Sequence, residues 1–439
     1  MNKPKILVIN TGTFCDNSLI NIFLPNLRER FSIIHLTEEK NFVSKEDINI
    51  KYNMSKKVLE YYISGKISQM NKIIDKNIFK KLIFALGNVK VVFNVLAYIR
   101  NSKMRKVIKK YQPDCILVSS TNIVQMAFSY AKAPKLLNIP TFMLHFAPGM
   151  LPNLEYPPPV SDRLVQQNYN LNGPNENINL DEFLKIFPMI SFKDTIDYIK
   201  SIYHINCFSS PLINNLTVWT KQSHIYKMGP YLPLIEKTKK PLPKSLEKWI
   251  KNLPVNSKLI FFSFGSGVLT KQAEKNLFIP FLKFLKYFFE LQENKNLYLV
   301  IHNGFQKRNI TSSPKFFITE EFIPYKKMVK KSDLVIFSGS LCLQNICFDN
   351  TTPMLFLPLT SEQCLWAKIY ENYTKIPYLR IFVSKNFIFD KDNLIFLMKS
   401  IYSAMNVNKQ LLQNVKKSID HNPEKTLLKY INSKIKWNF

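Results

Sequence analysis

The amino-acid sequence predicts an α/β protein built from two doubly wound, Rossmann-like domains that face each other across a cleft. Short apolar runs alternate with segments of helical periodicity, first from residue 6 and again from residue 259, which is typical of successive βα units. A polar segment punctuated by proline, 236–255, separates the two series and suits a linker. A chain of 439 residues, 46% of them hydrophobic, is long enough to form two such cores.

The amino-terminal series begins with the apolar run Ile6–Ile9, which has the composition of a buried parallel strand. The turn Asn10–Asp16 and a helix follow, and a second strand is predicted at Ile33–Leu36. Residues 44–110 break this alternation, since they are basic, aromatic and helical in pattern. The alternation returns with the strand Pro113–Val118.

The carboxyl-terminal series begins at Leu259–Ser266 and continues through Phe322–Ala367, where apolar runs alternate with small or polar turns. Each turn falls where the carboxyl end of a strand would meet a helix, and open α/β sheets bind their ligands at that edge. The sequence thus predicts an amino-terminal domain (1–235), a linker (236–255), a carboxyl-terminal domain (256–415) and a final helix (416–439).

A formal net charge of +30 fits an anionic ligand, an anionic membrane surface or nucleic acid. The basic residues are spread along the whole chain, without a basic tail or an aromatic-basic repeat, so nucleic-acid binding is disfavoured. A general abundance of lysine accounts for the charge equally well.

The six cysteines show neither a C-x-x-C pair nor the spacing of metal ligands, so we expect reduced core thiols and no metal site. The amino terminus carries no apolar segment of the signal-peptide kind, and no run of about 18 uncharged apolar residues occurs. These features predict a cytoplasmic protein.

Four parts of the chain resemble, in order, the motifs of family 1 glycosyltransferases of the GT-B fold, in the branch of sterol glucosyltransferases and glycopeptide-antibiotic glycosyltransferases. The matching segments are Gly12–Asp16, Pro152–Pro159, Met228–Tyr231 with Phe264–Ser266, and the donor-loop series Pro324-Tyr325, Ser338–Ser340, Thr352-Pro353 and Glu362–Trp366. The resemblance implies an inverting, metal-independent hexosyltransferase. Its co-substrate would be a nucleotide sugar, most simply a UDP-sugar, with no further cofactor.

Asp16 occupies the position at which this family supplies the general base. Such a base takes the proton of the acceptor hydroxyl as its oxygen attacks the anomeric carbon. A carboxylate before Asn17-Ser18 also suits the N-cap of a helix, and one residue can fill both roles.

The resemblance also implies a set of donor-binding residues. Ser338–Ser340 would bind the diphosphate at a helix start, Phe322 would stack on the nucleobase, and Glu362 with Gln363 would contact the hexose hydroxyls. The full set is Gly265, Ser266, Phe322, Tyr325, Ser338, Gly339, Ser340, Glu362 and Gln363. Two of these residues also have a purely structural explanation. Glu362 can act as a carboxylate at the start of a helix, and Phe322 can be an ordinary core residue.

The donor loop departs from the family pattern and is in that sense degenerate. Ser338 replaces a histidine, Ser340 replaces a glycine, and Cys342–Gln344 replaces Gly-Thr-Thr. A catalytically silent relative that keeps the fold as a binding protein therefore stays open beside the enzyme.

The acceptor pocket of this fold lies in the amino-terminal domain, here with residues 44–110 as the inserted part. An apolar stripe there is flanked by basic residues and comprises Leu82, Leu86, Val89, Phe93 and Leu96. This pattern fits a lipophilic or lipid acceptor met at an anionic membrane surface. An ordinary helix that packs on the core fits it as well.

Overall fold

The structure is a computed structural model of the chain. It describes residues 3–10, 19–37, 47–51, 106–119, 139–146, 201–208, 211–212, 224–233, 240–263, 279–291, 296–302, 312–358, 361–379 and 391–435. Unit 1 comprises Met1–Phe208, Asn214–Gly229 and Asp420–Phe439, and unit 2 comprises Ser209–Ile213 and Pro230–Ile419.

The strands are β1 (Lys5–Asn10), β2 (Ser32–Thr37), β3 (Ile48–Lys51), β4 (Cys115–Ser119), β5 (Thr141–His145), β6 (Tyr203–Asn206), β7 (Ile225–Lys227), β8 (Lys258–Ser263), β9 (Leu297–His302), β10 (Phe316–Thr319), β11 (Leu334–Phe337) and β12 (Met354–Phe356). The helices are α1 (Leu24–Arg30), α2 (Lys244–Lys251), α3 (Ile279–Glu290), α4 (Tyr325–Lys331), α5 (Leu341–Asn350), α6 (Ser361–Thr374), α7 (Lys391–Met405), α8 (Lys409–Lys416) and α9 (Pro423–Lys434).

Unit 1 is built on a parallel sheet with the strand order β3-β2-β1-β4-β5-β6-β7. The apolar run Ile6–Ile9 forms most of β1, and its side chains are at most 2% exposed. A central parallel strand is covered on both faces, which explains why this run is continuously apolar rather than alternating.

The last helix, α9, belongs to unit 1 although unit 2 precedes it in the chain. The Tyr430 ring stacks on Tyr226 with 4.3 Å between the centroids and meets Tyr203 and Phe142 edge to face. Its hydroxyl donates to the carbonyl oxygen of His224 at 3.4 Å. Aromatic contacts therefore hold the last helix against β5, β6 and β7.

Unit 2 repeats the same winding in its parallel sheet, with the order β10-β9-β8-β11-β12. Reversal of the winding next to the first strand of the unit is the mark of a Rossmann-like sheet. The predicted class, two Rossmann-like α/β domains, is confirmed. Helix α2 forms inside 236–255, the segment in which the sequence predicts the linker.

The cysteines only partly follow the expectation of reduced core thiols. Cys115, Cys207 and Cys347 are free and buried, and burial raises the pKa of Cys347 well above its ordinary value. The expectation is wrong for Cys342, which is disulfide-bonded. None of the described helices is long and apolar enough to cross a membrane.

A buried ion pair connects α1 to the start of β3 in unit 1. Arg28 Nε donates to Asp47 Oδ1 at 2.9 Å, and Arg28 Nη2 donates to Asp47 Oδ2 at 2.7 Å. The Asp47 side chain is 1% exposed, so its carboxylate depends on this two-point contact in place of water.

Replacing Arg28 with Met should lower the free energy of unfolding by about 3 kcal/mol, because it leaves a buried carboxylate without its cation. Urea denaturation followed by circular dichroism measures this change. Lys251→Met is the matched control, since Lys251 lies 4.0 Å from Glu247 at 73% exposure and should cost no more than about 0.5 kcal/mol. Equal stability of the two variants would contradict the assigned role of the Arg28 pair.

Candidate functional site

Polar side chains lie at the carboxyl edge of the unit 2 sheet, where three apolar strands end. Thr319, His302 and Ser263 are neighbours in register on β10, β9 and β8. Their side chains therefore share one face of the sheet. All three residues are buried, at 6%, 5% and 0% exposure. Buried polar groups at this edge of a parallel sheet are characteristic of a ligand site.

Tyr325, the first residue of α4, connects two of these strand ends through its hydroxyl. The Tyr325 Oη atom lies 3.0 Å from Ser263 Oγ and 3.1 Å from His302 Nδ1. Burial lowers the pKa of His302 to about 4, so the imidazole is neutral near pH 7 and one ring nitrogen is an acceptor. The hydroxyl of this predicted donor-binding residue thus fixes α4 to β8 and β9.

Sequence reasoning missed Ser263 and His302. Each is a single polar residue at the end of an apolar run, Leu259–Phe262 in one case and Leu297–Ile301 in the other. That change from apolar to polar at a strand end was the available signal.

The loop from β11 to α5 brings together most of the predicted diphosphate-binding residues. Ser338 is 2% exposed and follows β11 directly. Gly339 has φ +106°, and a Cβ atom placed on it would lie 3.2 Å from Gln363 Cβ. The loop backbone therefore packs against the first turn of α6, which only a glycine permits at this φ and this distance.

Helix α5 begins at Ser340, which caps it. The Ser340 Oγ atom accepts from the backbone N–H of Leu343 at 3.5 Å. The first turn of an α-helix has backbone N–H groups without a partner inside the helix, and it is the positive end of the helix dipole. Both features favour an anion at the start of this ten-residue helix. The first turn also contains two buried side chains. Leu343 is a core residue, and Gln344 has no hydrogen-bond partner for Oε1 among the described residues.

Phe322 lies just before α4 as a half-buried ring with a cation over it. The Lys240 ammonium is 5.3 Å from the ring centroid, within the range of a cation–π interaction. An aromatic ring next to a positive charge suits a nucleobase joined to phosphates.

The other predicted residues cannot be placed in this arrangement. Asp16, Gly265 and Ser266 lie outside the described residues. Glu362 is in the first turn of α6, and its side chain also lies outside them. Within the part of the chain that the structure describes, no three His, Cys, Asp or Glu side chains come together as metal ligands would.

No protein-family model matches the chain, and no curated protein matches it. Many solved structures do match over almost the whole length. One is the glycosyltransferase of kitacinnamycin, with 12% identity, a TM-score of 0.60 and 95% of both chains covered.

Two further matches have the same low identity. A UDP-glucosyltransferase from Polygonum tinctorium that glucosylates indoxyl shares 12% identity, with a TM-score of 0.60 and 98% of both chains covered. The spinosyn rhamnosyltransferase SpnG, complexed with thymidine diphosphate, shares 12% identity, with a TM-score of 0.54 over 98% of this chain and 100% of its own. Two Rossmann-like units and these neighbours define the GT-B fold.

Replacing Gly339 with Ala should lower both stability and nucleotide binding, because the new methyl group would lie 3.2 Å from Gln363 Cβ in a backbone conformation unfavourable to alanine. Thermal melts and calorimetric titration with UDP measure the two effects. Thr351→Gly is a control for which we expect the opposite effect on the melting temperature. Thr351 ends α5 at φ +52°, where glycine relieves strain, so this variant should melt at or above the wild-type temperature. A Gly339→Ala protein as stable as the wild type would contradict the tight contact with α6.

Proposed function

We propose that the protein is an inverting, metal-independent glycosyltransferase. It moves a hexose from a nucleoside diphosphate sugar, most simply a UDP-sugar, to a hydroxyl of a lipophilic small molecule or lipid. The observation that carries the proposal is the Gly339 loop of a GT-B fold, held against α6 at the start of α5.

The donor would lie along the carboxyl edge of the unit 2 sheet. The diphosphate would meet the first turn of α5 together with the hydroxyls of Ser338 and Ser340. The nucleobase would stack on the Phe322 ring, over which the Lys240 ammonium now lies. Lys240 would then move off the ring or turn its ammonium toward the phosphates. Gln363, which packs against Gly339, would contact the hexose, with Glu362 beside it in sequence.

The proposed reaction is a single displacement. The Asp16 carboxylate takes the proton of the acceptor hydroxyl while its oxygen forms a bond to the anomeric carbon. The bond from that carbon to the diphosphate oxygen breaks, and its electron pair leaves with the nucleoside diphosphate. Attack opposite the leaving group inverts the anomeric configuration. Helix N–H groups at α5 would stabilise the charge on the departing diphosphate.

Calorimetric titration with UDP, dTDP and UDP-glucose, first without metal and then with Mg²⁺, tests the donor site. We expect one nucleotide to bind near or below the millimolar range with the same affinity in both conditions, because backbone N–H groups replace the metal. Binding that requires Mg²⁺ would contradict metal independence, and the absence of any binding would contradict the donor site.

Replacing Asp16 with Asn should abolish transfer while donor affinity stays unchanged, because asparagine cannot accept the acceptor proton. Asparagine is also a good N-cap, so the helix start is preserved and loss of activity cannot be assigned to a lost cap. Turnover of the nucleotide sugar by chromatography and calorimetry of UDP measure the two effects. Asp392→Asn, in the first turn of α7, is the control and should leave turnover unchanged. Full turnover by the Asp16 variant would remove Asp16 from the mechanism.

The second candidate is a catalytically inactive relative that binds a ligand through the same fold. The core position of Leu343 favours it, because a hydroxyl that the family resemblance places there is missing from the donor loop. This candidate requires that no nucleotide sugar be turned over, even with water as the acceptor. Hydrolysis of UDP-glucose without an added acceptor therefore separates the two candidates.

A further inference from the structure

A second group of buried polar side chains lies at the carboxyl edge of the unit 1 sheet. His145 ends β5 and Asn206 ends β6, and the two are Cα partners in register. His204 precedes Asn206 by two residues, so all three side chains share one face of the sheet. They are at most 3% exposed.

The two histidines are hydrogen-bonded to each other. His145 Nε2 lies 2.9 Å from His204 Nδ1. Burial, and then the neighbouring His204, hold the pKa of His145 well below its ordinary value, so its ring is neutral at pH 7. A neutral ring with one nitrogen engaged by His204 has one nitrogen left, and that nitrogen is Nδ1.

Two polar atoms of this group, one on His145 and one on Asn206, have no hydrogen-bond partner within the described part of the chain. Neither His145 Nδ1 nor Asn206 Nδ2 has a hydrogen-bond partner among the described residues, and both atoms are closed to solvent. The backbone at the same strand ends is satisfied, since Cys207 N–H donates to the His145 carbonyl at 2.9 Å and Gly229 N–H donates to the Asn206 carbonyl at 3.0 Å. Within the described residues, the missing hydrogen bonds are therefore those of the side chains. A buried polar atom without a hydrogen bond lowers the stability of the fold.

We propose that His145 and Asn206 together bind one uncharged oxygen atom of the acceptor and so determine acceptor specificity. This inference rests on the proposed function. Adjacent strands place the two Cβ atoms about 5 Å apart, so a single oxygen atom can be within hydrogen-bond distance of both side chains. β5 is two strands away from β1, so the oxygen would lie roughly 10 Å across the sheet from the strand that precedes Asp16. The recognised oxygen is therefore a second polar group and not the reacting hydroxyl.

The pairing of the two histidines determines which oxygen fits. If His145 Nε2 donates to His204, Nδ1 is an acceptor, and a hydroxyl would donate to it while accepting from Asn206. If His204 Nδ1 donates instead, His145 Nδ1 carries a hydrogen, and a carbonyl oxygen would accept from both groups. A carboxylate is disfavoured in either case, because the buried edge offers it no positive charge from these two residues.

The first test is the stability of Asn206→Leu, an apolar replacement of similar size. Its melting temperature should equal or exceed that of the wild type, because the removed amide nitrogen has no hydrogen-bond partner among the described residues. Asn345→Leu is the matched control: Asn345 is 1% exposed and donates from Nδ2 to the Tyr231 carbonyl at 2.9 Å. This control should melt several degrees lower. An equal loss in both variants would mean that a trapped water already satisfies Asn206, and would overturn the proposal.

The second test compares three phenols. Para-hydroxyacetophenone carries a carbonyl oxygen, para-(1-hydroxyethyl)phenol carries a hydroxyl at the same place, and para-ethylphenol carries neither. The wild type should prefer one of the two oxygenated phenols over para-ethylphenol by about tenfold or more in kcat/KM, and Asn206→Leu should lose this preference. Equal use of all three phenols by the wild type would overturn the proposal.

A ¹⁵N-histidine spectrum separates this inference from the proposed function. Addition of the preferred oxygenated phenol should shift the His145 signal, assigned with a His145→Gln variant, and para-ethylphenol should not. A shift without any sugar transfer would contradict the enzyme and leave the binding site standing. Sugar transfer without a shift would overturn the binding site and leave the enzyme standing.

Discussion

The candidate donor site depends on the close approach of the Gly339 backbone to Gln363. A side chain at residue 339 would separate the β11–α5 loop from the start of α6, since a Cβ atom there would come within 3.2 Å of Gln363. With glycine, the positive end of α5 and the first turn of α6 adjoin one another. A helix start that attracts anions and a neighbouring set of hydrogen-bonding side chains are then available to a single ligand. A diphosphate joined to a sugar has that combination of chemistry.

The two sheets share one winding and differ in what their strands carry at the carboxyl edge. In unit 2 the Tyr325 hydroxyl connects Ser263 and His302 into one network. In unit 1 neither His145 Nδ1 nor Asn206 Nδ2 has a hydrogen-bond partner among the described residues. A hydrogen-bonded network fixes the shape of a site, whereas a polar group without a partner makes the site selective for a ligand that supplies one. The same arrangement of strands thus provides two different candidate sites in one chain.

The sequence predicts the fold well because buried parallel strands are continuously apolar, as Ile6–Ile9 and Leu334–Phe337 are. It also predicts that Ser338, Gly339 and Ser340 lie at a helix start. It does not predict the partners of Tyr325, since Ser263 and His302 come from strands 62 and 23 residues away in the chain. Side chains distant in sequence are brought together by register, which a single sequence does not encode in any local pattern.

The position of α9 has a consequence for the order in which the chain is synthesised. Tyr430 packs on Phe142, Tyr203 and Tyr226, but all of Pro230–Ile419 is translated between those partners and the helix. The whole of that intervening segment therefore leaves the ribosome before the aromatic face of the first sheet can be covered. During this interval all strands of the sheet have been translated but three aromatic side chains lack the helix that covers them, and exposed apolar surface of this kind favours aggregation. The helix that covers the first sheet is thus separated from it in the chain by nearly the whole of the second unit.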